Sequence, residues 1–65
     1  MPSRDQDYNL IAVLHDQLND LETYDRYLKA VSDCDECARI WTLLKAQAEE
    51  AVTQLRAEIQ RHAVD

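Results

Sequence analysis

Cys34 and Cys37 are the only two cysteines of the chain, set among Asp33, Asp35 and Glu36 and four residues ahead of the only tryptophan, Trp41. Their spacing suits two chemistries. A Cys-x-x-Cys in the first turn of a helix is where dithiol oxidoreductases activate a thiol, because the unpaired amides there favour the thiolate. Two cysteines are also half of a tetrahedral zinc site, which makes Cys34 and Cys37 the metal-ligand candidates and zinc the candidate ion. The flanks oppose both. Three carboxylates disfavour a thiolate, no Lys, Arg or His stands near the pair before Arg39, and no second Cys-x-x-Cys or His-x-His completes a zinc site. Two chains complete one only if their turns meet at the same end of an assembly. The expectation is therefore a pair of structural, reduced cysteines, with Cys37 buried and Cys34 reachable from solvent.

Asp25 is the next candidate, because helical periodicity places it inside an apolar stripe between Leu21 and Leu28. Inward carboxylates build di-iron centres in helical bundles, and Asp25 with Glu22 would serve such a centre only if a second subunit completed it. The plainer expectation is a carboxylate near the bundle end, partly solvated or paired with an arginine. His15 and His62 read as flanking their stripes, with residues near Glu49 opposite His15, so no catalytic or metal role is assigned to either. There is no paired general acid and base and no nucleophile beside a base. With no glycine there is also no phosphate-cradling loop.

The elements that must carry these residues are helices. The chain has no glycine and its one proline is Pro2, so nothing after Ser3 breaks regular structure strongly. Apolar residues at 10, 11, 14, 18, 21, 28 and 31, widened by Val13 and Tyr24, predict helix from about 7 to 31. A second set at 37, 40, 41, 44, 48, 51, 52, 55 and 59 predicts helix from about 34 to 62. The turn falls at about 32–33, with Asp33 as N-cap and Glu36 three residues on as a capping box. So short a turn makes the helices antiparallel neighbours.

A chain of 65 residues is one small domain, and such domains rely on disulfides, metals or oligomerisation. Both stripes are broader than a two-stranded coiled-coil seam, whereas a helix in a four-helix bundle touches two neighbours. The fold class expected is all-α: an antiparallel helical hairpin that pairs into a homodimeric four-helix bundle. The net charge is −6, with three basic against six acidic residues in 1–32, three acidic residues at the turn, and balance beyond. That acidity argues against nucleic acid and suits a basic protein surface. No apolar run approaches a membrane span and the N-terminus reads unlike a signal peptide, so the expectation is a soluble cytoplasmic protein.

Three resemblances bear on this reading. The rhythm Leu18-Asn19-Asp20-Leu21-Glu22, then Ala48-Glu49-Glu50 and Leu55, resembles half of a ferritin-like or rubrerythrin-like bundle. That resemblance implies a first-helix Glu meeting a Glu-x-x-His, but the apolar register puts Ala48 and Ala51 at those two positions. Glu36-Cys37-Ala38-x-x-Trp41 is similar to the start of the second helix in the small redox-switch protein that links two Calvin-cycle enzymes, which implies redox regulation. The partner cysteine of that family, its acidic motif and its C-terminal cysteine pair have no counterpart here. The plasmid-copy-number hairpin is similar in length and plan, while the acidic first helix lacks the basic residues for its RNA.

These readings converge on a non-enzymatic helical-hairpin interaction or regulatory protein acting as a homo-oligomer. The alternatives are a metal- or redox-responsive protein using Cys34 and Cys37, and a degenerate ferritin-like half-bundle.

Overall fold

The computed structural model of the chain describes residues 4–31 and 33–63, with the side chain of Arg4 left aside. Two antiparallel helices make up the fold, α1 (Arg4–Ala30) and α2 (Asp35–Ala63). Helix α1 begins three residues earlier than the periodicity alone places it, because Asp5 and Asp7 favour a helix N-terminus. At the other end, the Val31 N–H donates to the Tyr27 carbonyl at 3.0 Å, which carries the hydrogen-bond ladder one residue past Ala30. Among the described residues there is no left-handed residue and no cis peptide.

The pair is a rod of 52 × 14 × 12 Å. Its radius of gyration of 15.0 Å exceeds the ~11 Å of a compact domain of this length. One helix can cover only one strip of another, and the seam follows a 3-4 alternation. On α1 it runs through Leu10, Leu14, Gln17, Leu21, Tyr24, Leu28 and Val31, each half-buried. On α2 it runs through Cys37, Trp41, Leu44, Ala48, Val52, Leu55 and His62. Spacings of three and four average 3.5 residues, the repeat that keeps two long helices in contact along their length. Only Ala48 and Val52 are fully buried among the described residues. The small side chain of Ala48, 4% exposed, is covered by the facing helix at the middle of the seam. Near the turn, Trp41 stacks on Tyr24, with ring centroids 6.2 Å apart, and meets Tyr27 at 5.0 Å in a tilted pair.

The broad stripes read from the sequence are thereby divided. Ile11, Val13, Tyr27, Ile40 and Leu43 lie outside the seam and are exposed, and Leu18 stands at its margin. Helical geometry sorts them, since residues seven apart lie on one line along a helix. Val13 lines one cleft of the helix pair together with Leu55 and Glu58, whereas Ile11 lines another with Ile59 and Ala63. One side of the hairpin therefore carries the lines Val13-Asp20-Tyr27 and Leu44-Ala51-Glu58, with Ile40 and Gln47 beside the latter. The other side carries Ile11-Leu18-Asp25 and Lys45-Val52-Ile59, where Asp25 and Lys45 join across the helices at 2.8 Å.

Candidate functional site

At the turn, Cys34 and Cys37 are joined in a disulfide, with S–S 2.06 Å and Cα atoms 5.2 Å apart. This corrects the expectation of reduced thiols with a buried Cys37 and an open Cys34: both are half-buried and neither is free. The helix start is corrected with it. Cys34, and not Asp33, is the N-cap of α2, because its carbonyl accepts the first intrahelical bond from the Ala38 N–H at 3.1 Å. Its Sγ accepts the N–H of Cys37 at 3.1 Å, the contact a capping side chain makes with the third helical amide. The bridge holds that sulfur over the first turn, leaving Asp33 exposed and Glu36 to pair with Arg39 at 3.1 Å instead of closing a capping box. Ser32, whose hydroxyl one residue earlier is also of a capping type, lies outside the described residues. A disulfide sulfur offers no thiolate to a metal or an electrophile, so in this state the pair can act only as an electron acceptor.

At the opposite end His62 sits between two carboxylates. Its Nδ1 is 2.6 Å from Asp7 Oδ1 on α1 and its Nε2 is 2.9 Å from Glu58 Oε2 on α2. The imidazole side chain is 13% exposed, which places it in the seam and not on the flank where a 3.6-residue period puts it. Two carboxylate acceptors call for an N–H on both ring nitrogens, that is, the imidazolium. The bond to Asp7, and then that to Glu58, raise the His62 pKa above its ordinary 6.5. Glu58 is held at about 2, first by its bond to Arg61 and then by His62. The positive ring also stands in the last turn of α2, where the helix dipole favours a cation. His15, in contrast, is exposed and meets Asn19 at 3.4 Å on its own helix.

The remaining candidates fall to structural roles. Asp25 pairs across the helices with Lys45 and not with an arginine, and this contact raises the lysine pKa. Glu22 is exposed, as are Glu49 and Glu50, while buried Ala48 and half-buried Ala51 occupy the register of a ferritin-like Glu and His. Among the described residues no group of three or more His, Cys, Asp or Glu could hold a metal ion. Asp7 and Glu58 approach His62 at opposite ring nitrogens and so do not converge on a common point. Neither helix is long and apolar enough to cross a membrane, among the described residues.

Two clefts open on either side of His62. The larger, about 320 Å³, has an apolar floor of Leu10, Val13 and Leu55 and a polar rim that includes Glu58. The smaller, about 220 Å³, lies beside Ile11, Ile59 and Asp7. The sequence held one sign of the His62 contact: Asp7 falls in the first turn of α1 and His62 in the last turn of α2, ends that an antiparallel hairpin brings together.

This clamp gives a pH signature. A folded pKa above 6.5 means that His62 stabilises the hairpin fully below that value and ceases to as pH rises through the raised one. Glu58 has the opposite sign: its contribution is present above its ordinary 4.5 and is lost as pH falls towards about 2. Thermal melting should therefore be highest between the two limits. Replacing His62 with Gln should flatten the alkaline limb, and an unchanged limb in that variant would remove His62 as its cause.

The chain matches no protein-family model, no curated protein and no solved structure, so the site's chemistry alone carries the functional reading.

Proposed function

We propose that this chain is a non-enzymatic helical-hairpin interaction module that works as a homodimer, two hairpins laid face to face in a four-helix bundle. The observation that carries the reading is unspent surface. The hairpin exposes 5240 Å², whereas a compact monomer of 7.6 kDa exposes about 4,300 Å². The excess, roughly 900 Å², approximates the ~800 Å² that each partner buries in a stable interface.

The side bearing Ile11, Leu18 and Ile59 is the face for a second copy. A two-fold interface sets a patch against itself, so its charges must be complementary to their own image. Glu22, Asp25 and Glu49 on this side are matched by Lys29, Lys45 and Arg56. Introducing a charge by Leu18→Glu should weaken self-association at least tenfold in sedimentation equilibrium at micromolar concentration, while Val13→Glu, on the opposite side, should leave the mass unchanged. A folded parent protein at monomer mass would end this reading.

The disulfide supports a second reading, that Cys34 and Cys37 are a redox-responsive element. A cytoplasmic setting would hold the pair reduced, and an oxidising one would keep it bridged. Metal analysis after reduction separates a zinc-holding sensor, with zinc retained through dialysis, from a module that holds none.

A further inference from the structure

We infer that the side of the hairpin away from the proposed dimer face docks a basic amphipathic helix of a partner protein. The inference assumes only the described fold, and it concerns a different surface from the self-association above.

The surface is apolar and its uncompensated charge is negative. Val13, Tyr27 and Ile40 are 45%, 44% and 43% exposed on it, each half sunk into the hairpin and half available to a partner. The cleft floored by Leu10, Val13 and Leu55 opens at one end of this surface, and the Trp41–Tyr27 pair closes the other. Between Val13 and Tyr27 on the same line stands Asp20, with Asp16 three residues after Val13 and four before Asp20, so the two carboxylates are neighbours on the helix surface. Asp20 is half-buried, yet neither carboxylate takes part in an ion pair or hydrogen bond among the described residues. On α2, Glu58 and Arg61 compensate each other in an ion pair, so the negative charge left for a partner is that of Asp16 and Asp20.

A second copy does not suit this surface. Two-fold pairing would bring one acidic, apolar face against the same face of its partner, and like charges so juxtaposed are destabilising. Complementarity instead asks for apolar side chains at helical spacing with lysine or arginine beside them, which is the pattern of a helix laid into a groove. The distance from Val13 to Tyr27 along α1 is fourteen residues, about 21 Å, so a partner helix of three to four turns spans the surface. Unpaired Asp16 and Asp20 then receive cations at mid-length, and the clefted end and Tyr27 receive the apolar anchors.

The test uses an acetylated, amidated peptide of about 18 residues with leucine on one helical face and lysine elsewhere, added to the full chain. Trp41, the only tryptophan and 5.0 Å from Tyr27, reports binding by its fluorescence. Saturable binding is expected, weakened at least tenfold by Asp16→Lys/Asp20→Lys and by Val13→Glu, and unchanged by Glu22→Lys on the other side. A peptide of the same composition with its periodicity scrambled should bind at least tenfold more weakly. Circular dichroism checks that each variant is folded, and Asp16→Asn/Asp20→Asn replaces the lysine pair if that one is not. Equal binding by the aspartate variants, or equal binding of the scrambled peptide, overturns the inference. So does a peptide that splits the dimer, or an Asp20→Lys variant with altered sedimentation mass, because a second copy then covers this surface. Loss of self-association alone leaves the peptide result standing, so the two proposals fail separately.

Discussion

Replacing Ala48 with Asp is expected to unfold the hairpin at 25 °C. Ala48, 4% exposed, is the most buried of the described residues, so a larger side chain has no room without displacing the facing helix. Overpacking of this kind costs ~1–3 kcal/mol, and a carboxylate without a hydrogen-bond partner adds a desolvation penalty of similar or larger size. A seam with two fully buried residues has little stability to set against that loss. Gln47→Asp is the control, since Gln47 is exposed one residue away and its substitution should change stability by less than ~0.5 kcal/mol. Urea denaturation followed by helical circular dichroism reads both. A folded Ala48→Asp protein within ~1 kcal/mol of the parent would mean that Ala48 is not packed in the core of the seam.

Reduction of the Cys34–Cys37 bridge is expected to lower stability by up to ~2 kcal/mol, the loop-closure value for so short a loop. The cap separates the bridge from the sulfur. Cys34→Ser loses the bridge but keeps a side-chain acceptor for the Cys37 N–H, and should behave like the reduced protein. Cys34→Ala loses both, and should fall a further ~0.5–2 kcal/mol. Native protein purified without reductant should show no free thiol. Labelling of both cysteines in that protein would remove the bridge from the picture, and equal stabilities of the Ser and Ala variants would move the cap off Cys34.

The two helices and their antiparallel pairing were legible because the signals behind them are local. An absence of glycine, a single early proline and apolar residues at helical spacing act within one or two turns, and so does the preference for a break near Ser32 and Asp33. The turn end was legible only in part. Either Asp33 or Cys34 is able to cap α2, and the choice went to the residue whose sulfur is tethered to Cys37 over the first turn. No periodicity encodes that tether.

Rotation of each helix about its own axis was decided by the tertiary structure. A broad stripe allows several faces to meet a single neighbour, and a straight 3.6-residue count drifts by about 20° in every seven residues from the 3.5 repeat of a long contact. Over the length of α2 that drift carries His62 from the flank into the seam, where it meets Asp7, fifty-five positions away. Asp25 likewise leaves the apolar stripe to reach Lys45. Composition and periodicity determined that the chain forms a helical hairpin with more apolar surface than one partner helix covers. Which residues that surface comprises depended on contacts between positions far apart in the chain, because only those contacts select one rotation of the helices from the several that local order permits.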